Sequence, residues 1–245
     1  MKALQNLRDA VKKAIYALKN DADPFGTRSE WEDKLTSKLR GQFRGELTQL
    51  MNYLGDPPQP ERVPESFWTE GRQELRSMFM ETMVDIALEQ AAEYLTTAPV
   101  GGVDWGQINQ GAVDWARSYT YDLVHGLETT TRDALRDTIS TYYTDGTLTI
   151  DDVRRSLEFY YSPERANMIA VTEVTRAAVQ GEREVVKEIE RYGIRMQAYW
   201  ATANDDIVCE ICGPRNDEPI EDDDYPPAHP NCRCGVRHEV IRDAN

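Results

Sequence analysis

The cysteines of this chain are confined to one short C-terminal segment, and this clustering constrains its fold more than any other feature. Cys209 and Cys212 form a CxxC pair, and Cys232 and Cys234 form a CxC pair after nineteen intervening residues. His229 lies three positions ahead of Cys232. Two thiols so close in sequence can bind one metal ion from a single turn, and two such pairs can close a tetrahedral site. The spacing therefore predicts a structural zinc site.

Five candidate ligands compete for the four positions of such a site. Cys209 and Cys212 are the safest assignments because of their CxxC spacing. Cys232 and Cys234 could complete an all-thiolate site, or His229 could replace either of them. We favour Cys209, Cys212, His229 and one of Cys232 and Cys234. Because four protein ligands leave no open position for water, the site is expected to be structural rather than catalytic.

Disulfides and free thiols are the alternatives for these cysteines. Residues 1–8 lack the apolar stretch of a signal peptide, and no apolar run approaches the ~18–20 residues of a membrane span. The chain is therefore expected to be made in a cytoplasm and not to enter a membrane. Disulfides are reduced in that compartment, which favours a bound metal.

The net charge of −15 limits the classes of partner. Much of the excess is local, because residues 217–224 carry six acids in eight positions. Binding to nucleic acid without sequence preference depends on Lys and Arg that neutralise phosphates, so DNA contact is expected to be weak at most. The acidic stretch is read as a solvated loop, with a divalent-cation site or a docking surface for a basic partner as alternatives.

Apolar residues recur at three- and four-residue spacing over most of the first 192 residues, which predicts amphipathic helices. The predicted helices span residues 3–18, 29–54, 64–97 and 105–142, a short stretch capped by Thr149 or Thr147, and 163–192. Four prolines within residues 57–64 interrupt the pattern between the second and third helices. Ser162 and Pro163 are typical of a helix start, and Gly193 of a helix end.

The apolar period changes to two after Gly193. Residues 194–202 and 235–241 each alternate apolar and polar side chains, which predicts two strands that pair on either side of the cysteine loop. The predicted fold class is therefore mainly α, with a multi-helix N-terminal region followed by a small C-terminal α+β module. That module contains a β-hairpin and a zinc-binding loop at residues 205–235.

Three stretches of the chain resemble the phage minor head protein family, which includes the F-like protein of phage Mu and its head morphogenesis counterpart in phage SPP1. They are residues 165–181, with Thr172, Glu173 and Arg176, then 200–212, and then 226–234. The resemblance covers about residues 145–240, and the cysteine/histidine motif of the family maps onto Cys209, Cys212, His229, Cys232 and Cys234.

The resemblance implies a structural component of tailed-phage heads that is not an enzyme. Such proteins associate with the portal vertex during procapsid assembly, and some influence DNA packaging or ejection. The implied partners are the portal protein and the major capsid or scaffolding protein, with no small-molecule substrate. The implied location is the virion or procapsid, assembled in the bacterial host cytoplasm. Residues 1–144 would be a variable helical domain and 145–245 the minor head protein domain.

A metal-dependent nuclease or hydrolase of a phage or mobile element is the alternative function. His229 or His238 would act as the base near Asp205 and Asp206. A base needs a histidine outside the metal shell, and a scissile phosphate needs cationic support. His238 falls on a predicted strand and the loop is rich in acids, so this alternative is disfavoured. An adaptor protein with no viral role is a third possibility.

Glu173 and Arg176 lie three residues apart on the helix predicted for 163–192. They could form a surface ion pair worth under ~1 kcal/mol. We prefer an interpretation in which this helix packs against the metal module and one of the two side chains fastens them through a hydrogen bond.

Overall fold

The structure is a computed structural model that describes residues 28–98, 102–202, 208–221 and 223–241. Its main elements are the helices α1 (Arg28–Leu54), α2 (Glu65–Thr97), α3 (Trp105–Thr144), α4 (Ile150–Glu158) and α5 (Pro163–Arg191) and the strands β1 (Met196–Ala201) and β2 (Gly235–Val240). Short 3-10 turns occupy Pro60–Arg62, Phe159–Tyr161 and Gly213–Arg215. The mainly α fold class with a C-terminal hairpin is confirmed. The helix predicted for residues 3–18 lies outside the described residues.

The helices begin and end where the local sequence favours it. Thr149 caps α4: its side chain accepts the backbone N–H of Asp152, whose carboxylate in turn accepts from the backbone of Thr149. The Ser162 hydroxyl accepts the backbone N–H of Arg165 at the start of α5. After α5 the chain turns at Gly193, which has a φ of 82° that glycine adopts without strain.

The described residues fall into two compact units. The helical unit comprises residues 32–82 and 115–170, and the hairpin unit comprises the described parts of 28–31, 83–114 and 171–241. The helical unit is filled by large apolar side chains that are almost fully buried, among them Leu35, Leu39, Phe43, Leu50, Phe79, Val124, Ile139, Val153 and Leu157. The amphipathic stripes predicted from sequence are therefore core, as their period indicates.

A second core lies in the hairpin unit, where α2, α3 and α5 meet. Its buried members are Ala91, Ile108, Val185 and Ile189. Here α5 approaches α2 very closely, because a Cβ added at Gly181 would lie 2.0 Å from the backbone oxygen of Ala87. Only glycine allows two backbones to pack at such a distance.

The two strands pair antiparallel, as predicted, with Tyr199 opposite Arg237 and Trp200 opposite Val236. The outer edge of β1 is covered by the loop itself: Trp200 N–H donates to the Glu218 carbonyl, and Asp217 N–H donates to the Trp200 carbonyl. Residues 217–220 of the cysteine loop are thus hydrogen-bonded to β1. None of the described helices is both long and apolar enough to cross a bilayer.

Candidate metal centre

All five cysteine and histidine candidates come together beside the hairpin. Nε2 of His229 lies 3.0 Å from Sγ of Cys209 and 3.2 Å from Sγ of Cys212. Sγ of Cys212 lies 3.8 Å from Sγ of Cys232. Cys234 completes a second group with Cys212 and Cys232, in which the sulfur atoms lie within 4.8 Å of one another. Cys212 belongs to both groups, so it occupies the middle of the cluster.

One of these separations has the value expected between two ligands of a tetrahedral ion. With Zn–S bonds of about 2.3 Å, two ligand sulfurs of a tetrahedral site lie about 3.8 Å apart. The distance between Cys212 and Cys232 has this value. All four cysteines are free thiols in the structure, so disulfides do not account for the cluster.

The ring of His229 is oriented as a metal ligand. Its Nδ1 lies 2.8 Å from the carbonyl oxygen of Pro230. Because a carbonyl only accepts, Nδ1 carries the proton and Nε2 presents its lone pair to the thiols of Cys209 and Cys212. A backbone carbonyl that fixes the tautomer in this way is the usual support of a metal-bound histidine.

Backbone N–H groups support two of the thiols as thiolates. The N–H of Cys212 points at Sγ of Cys209 at 3.4 Å, and it is the first cause of the lowered pKa of Cys209. The pKa of Cys232 falls to about 5, first through a hydrogen bond from the Cys234 thiol and also through the backbone N–H groups of Cys234 and Ala228. Burial raises the pKa of Cys212 to about 12 in the absence of a cation. A divalent ion would reverse that effect, since it deprotonates a coordinating thiol.

An apolar layer closes the cluster on one side. Trp200, Cys212, Cys232 and Cys234 form a single buried group, and Val208 and Ile220 pack against it. The ring of Trp200 lies beneath the guanidinium of Arg215, with its centroid 3.8 Å from the guanidinium carbon. The ligand chemistry of the cluster shows that it could hold a metal ion.

The acidic stretch is held by arginines that stack on aromatic rings. Arg237 pairs with Asp217 at 3.1 Å and lies over the ring of Tyr199. Arg183 pairs with Asp223 at 2.6 Å and lies over Tyr225. Arg215 pairs in the same way with Asp224. These three acids therefore form ion pairs, and each keeps more than half of its side chain exposed, as expected of a solvated loop. The described acids in the loop form no cation-binding group with other ligands.

A buried polar network next to the hairpin was not predicted from the sequence. Arg28 donates to the carbonyl oxygen of Cys234 at 3.3 Å, and its guanidinium lies 3.9 Å from the carboxylate of Glu182. The other carboxylate oxygen of Glu182 lies 3.7 Å from Nδ1 of His238. The His238 ring stands edge-on to Tyr94, with the two centroids 5.5 Å apart. The network links α1 and α5 to the backbone of the metal loop.

The histidines proposed as bases for a nuclease occupy other roles. The side chain of His238 is 1% exposed and lies against Glu182. Nε2 of His229 faces the thiols of Cys209 and Cys212. Asp205 and Asp206 lie outside the described residues. The enzyme alternative therefore has neither histidine in a position to act as a base.

Helix α5 packs against the metal loop, as we preferred, and the bond that joins them involves Thr172. Its hydroxyl accepts the backbone N–H of Asn231 at 3.0 Å. Arg176 lies 3.4 Å from the carboxylate of Glu173, whose side chain is only 6% exposed, so the pair is not a surface pair. Fastening of the loop by Glu173 or Arg176 stays a prediction.

The buried Glu182 makes stability depend on pH. Burial raises its pKa to about 8, with Glu93 adding to the effect and Arg28 opposing it. Above pH 6.5 the folded chain keeps a proton that unfolded glutamate has lost, so the free energy of unfolding should fall as pH rises to about 8. The slope should approach at most about 1.4 kcal/mol per pH unit. Burial lowers the pKa of His238 to about 4, whereas the unfolded histidine has a pKa of 6.5. His238 therefore opposes the slope near pH 6.5 and contributes little from about one pH unit higher.

Urea titrations of the zinc-loaded protein at several pH values will measure this slope. Glu182→Gln should flatten it, because glutamine cannot bind the proton. Glu190→Gln removes an exposed carboxylate from the same helix and should leave the slope unchanged. Equal slopes in all three proteins would show that Glu182 is ionised in the fold.

Comparison with known families supports the resemblance. The family model described as Phage Mu protein F like protein matches residues 118–237. The match includes the C-terminal part of α3, all of α4 and α5, and the five candidate ligands. No curated protein and no solved structure matches the chain. Residues 118–237 therefore belong to the Phage Mu F-like family of phage head morphogenesis proteins.

Proposed function

We propose that this chain is a structural, non-enzymatic component of a tailed-phage head that binds the portal vertex or the inner capsid wall. In that role it assists procapsid assembly and DNA packaging or ejection, and it resides in the procapsid and virion. The observation that carries the proposal is the family domain at residues 118–237, which includes the five candidate metal ligands. The residues ahead of the family domain serve as the variable, partner-specific part.

The cofactor in this proposal is one structural zinc ion. Its ligands are Cys209, Cys212 and Cys232 through Sγ and His229 through Nε2. The support for Cys232 is its distance from Cys212 and the two backbone N–H groups directed at its sulfur. Cys234 lies outside this set as a buried thiol that donates to Cys232.

The ion joins parts of the chain that have little apolar surface of their own. Among the described residues of the loop, only Val208 and Ile220 pack as apolar side chains against the buried cysteines. With zinc bound, the loop is fixed to β1, to α5 through Thr172 and to α1 through Arg28. The zinc thereby keeps the helices and the hairpin of the module in one arrangement, which a protein needs if it is to present a constant surface to a large assembly.

Partner binding by the helices is supported by aromatic side chains on their surface. Trp105 is 41% exposed and Tyr121 is 58% exposed, and aromatic residues are enriched where proteins meet. The net charge of −15 disfavours tight binding to DNA, so an effect on packaging would act through protein contacts.

Co-expression of the full chain with its cognate portal protein tests the proposal. We expect the two to co-purify by affinity and size-exclusion chromatography, with the chain in fewer copies than portal subunits. Parallel co-expression with the major capsid and scaffolding proteins identifies which head protein binds. A chain in which Cys209 and Cys212 are both serine serves as the control for a folded metal module.

The opposite outcome is equally clear. A chain that stays free in the presence of all three head proteins, yet cleaves DNA with added Mg²⁺ or Mn²⁺, would establish the nuclease alternative in place of this proposal.

A further inference from the structure

A groove on the surface of the helical unit combines cationic and aromatic side chains. It has a volume of about 340 Å³, near the lower end of the range for ligand-binding clefts. Its walls come from two helices: Thr69, Arg72, Gln73 and Arg76 on α2, and Tyr121, Val124 and His125 on α3. In a chain of net charge −15, this concentration of donors is unusual.

The donors of the groove are only partly used within the protein. Arg72 pairs with Glu128 at 2.9 Å and also donates to Thr69. Arg76 is exposed, and its guanidinium carbon lies 5.5 Å from the centroid of the Tyr121 ring. No described carboxylate lies within ion-pair distance of Arg76. A guanidinium that stacks on a ring keeps its edge N–H groups for an anion, and these suit the two oxygens of a carboxylate.

The acids around the groove favour the binding of a single anionic group over the binding of a polyanion. The exposed acids Glu70, Glu74 and Asp122 each follow a groove residue directly in the sequence. A nucleic acid strand needs a continuous basic stripe for its successive phosphates, and these acids would repel it on both helices. A short segment that inserts one acidic side chain avoids them.

We propose that this groove binds a carboxylate carried by an acidic segment of a protein partner. Arg76 makes the main contact, and Arg72 and the imidazole of His125 add donors. Tyr121 covers the apolar part of the inserted side chain. The proposal concerns the purified chain and stands whether or not the chain enters a virion.

The test uses the full chain, zinc-loaded and labelled with ¹⁵N-arginine. The probe is an acetylated and amidated alanine hexapeptide that carries one glutamate. The Nε–H resonances of Arg72 and Arg76 should shift saturably, with a dissociation constant on the order of 1 mM. Binding should weaken when NaCl is raised from about 0.05 to about 0.5 M, because exposed charges are screened. Hexalysine should produce no shift.

Variants assign the effect to the groove. Arg76→Gln should weaken binding by ~5-fold, the upper end for an exposed charge pair. Binding to this variant is measured from the Nε–H resonance of Arg72. Arg136→Gln makes the same change of charge on α3 at a residue that pairs with Asp133 outside the groove, and it should leave binding unchanged. Equal weakening by both variants, or no saturable shift in the wild type, would overturn the proposal. Tighter binding of hexathymidylate than of the single-glutamate peptide would also overturn it, in favour of nucleic acid.

Discussion

Replacing Cys212 with serine should release the zinc ion and unfold the loop between the two strands. Cys212 lies at the centre of the cluster, 3.2 Å from the imidazole and 3.8 Å from Cys232, and it is 2% exposed. Loss of a supporting contact typically costs a metal site 10–100-fold in affinity, so loss of a central ligand should exceed ~100-fold. Hydrogen exchange should show lost protection at the amides of Trp200, Asp217 and Ile220, which bond across the loop.

Cys234→Ser is the matched control for this prediction. Cys234 is buried in the same group, but the proposed ligand set excludes it. This variant should keep its zinc and the protection of the loop amides, with at most a modest loss of stability. Loss of zinc from the Cys234 variant together with retention in Cys232→Ser would assign the fourth position to Cys234 instead.

Gly181→Ala should destabilise the hairpin unit by about 1–3 kcal/mol, the usual cost of overpacking. The new Cβ would lie 2.0 Å from the carbonyl oxygen of Ala87, so α5 must move away from α2. This cost outweighs the gain of up to ~1 kcal/mol that alanine brings to a helix interior. Chemical denaturation of the zinc-loaded protein measures the difference.

Gly126→Ala measures the gain in helix propensity without the steric clash that an added Cβ makes at Gly181. Gly126 is also inside a helix, α3, but an added Cβ there meets no atom within 4 Å. This variant should be stabilised by up to ~1 kcal/mol. If both variants were stabilised, the close approach of α5 and α2 at Gly181 would be wrong.

Most of the secondary structure could be predicted because its signals are local. Apolar periodicity, the cap at Thr149, Pro163 and Gly193 each act within a few residues, and the described helices begin and end close to these positions. The strands are somewhat shorter than predicted, because alternation continues past the last paired residue. The register that places Tyr199 opposite Arg237 depends on pairing across the whole loop.

The metal cluster could be predicted and its surroundings could not. Thiols are rare and their spacing carries information, so five candidate ligands could be named from sequence alone. Arg28, Glu182 and Thr172 look like ordinary helix residues, and they reach the loop only through the packing of helices distant in sequence. The stacking of Arg237 on Tyr199 follows from the hairpin register, which the sequence pattern does not specify.

Elemental analysis of the purified chain tests the structural-zinc account most directly. The protein should be expressed without added metal, purified under reducing conditions and passed through a chelating resin before measurement. We expect about one zinc ion per chain in the wild type and in Cys234→Ser, and almost none in Cys212→Ser. A wild-type chain that carries no metal but keeps the loop amides protected would contradict the account.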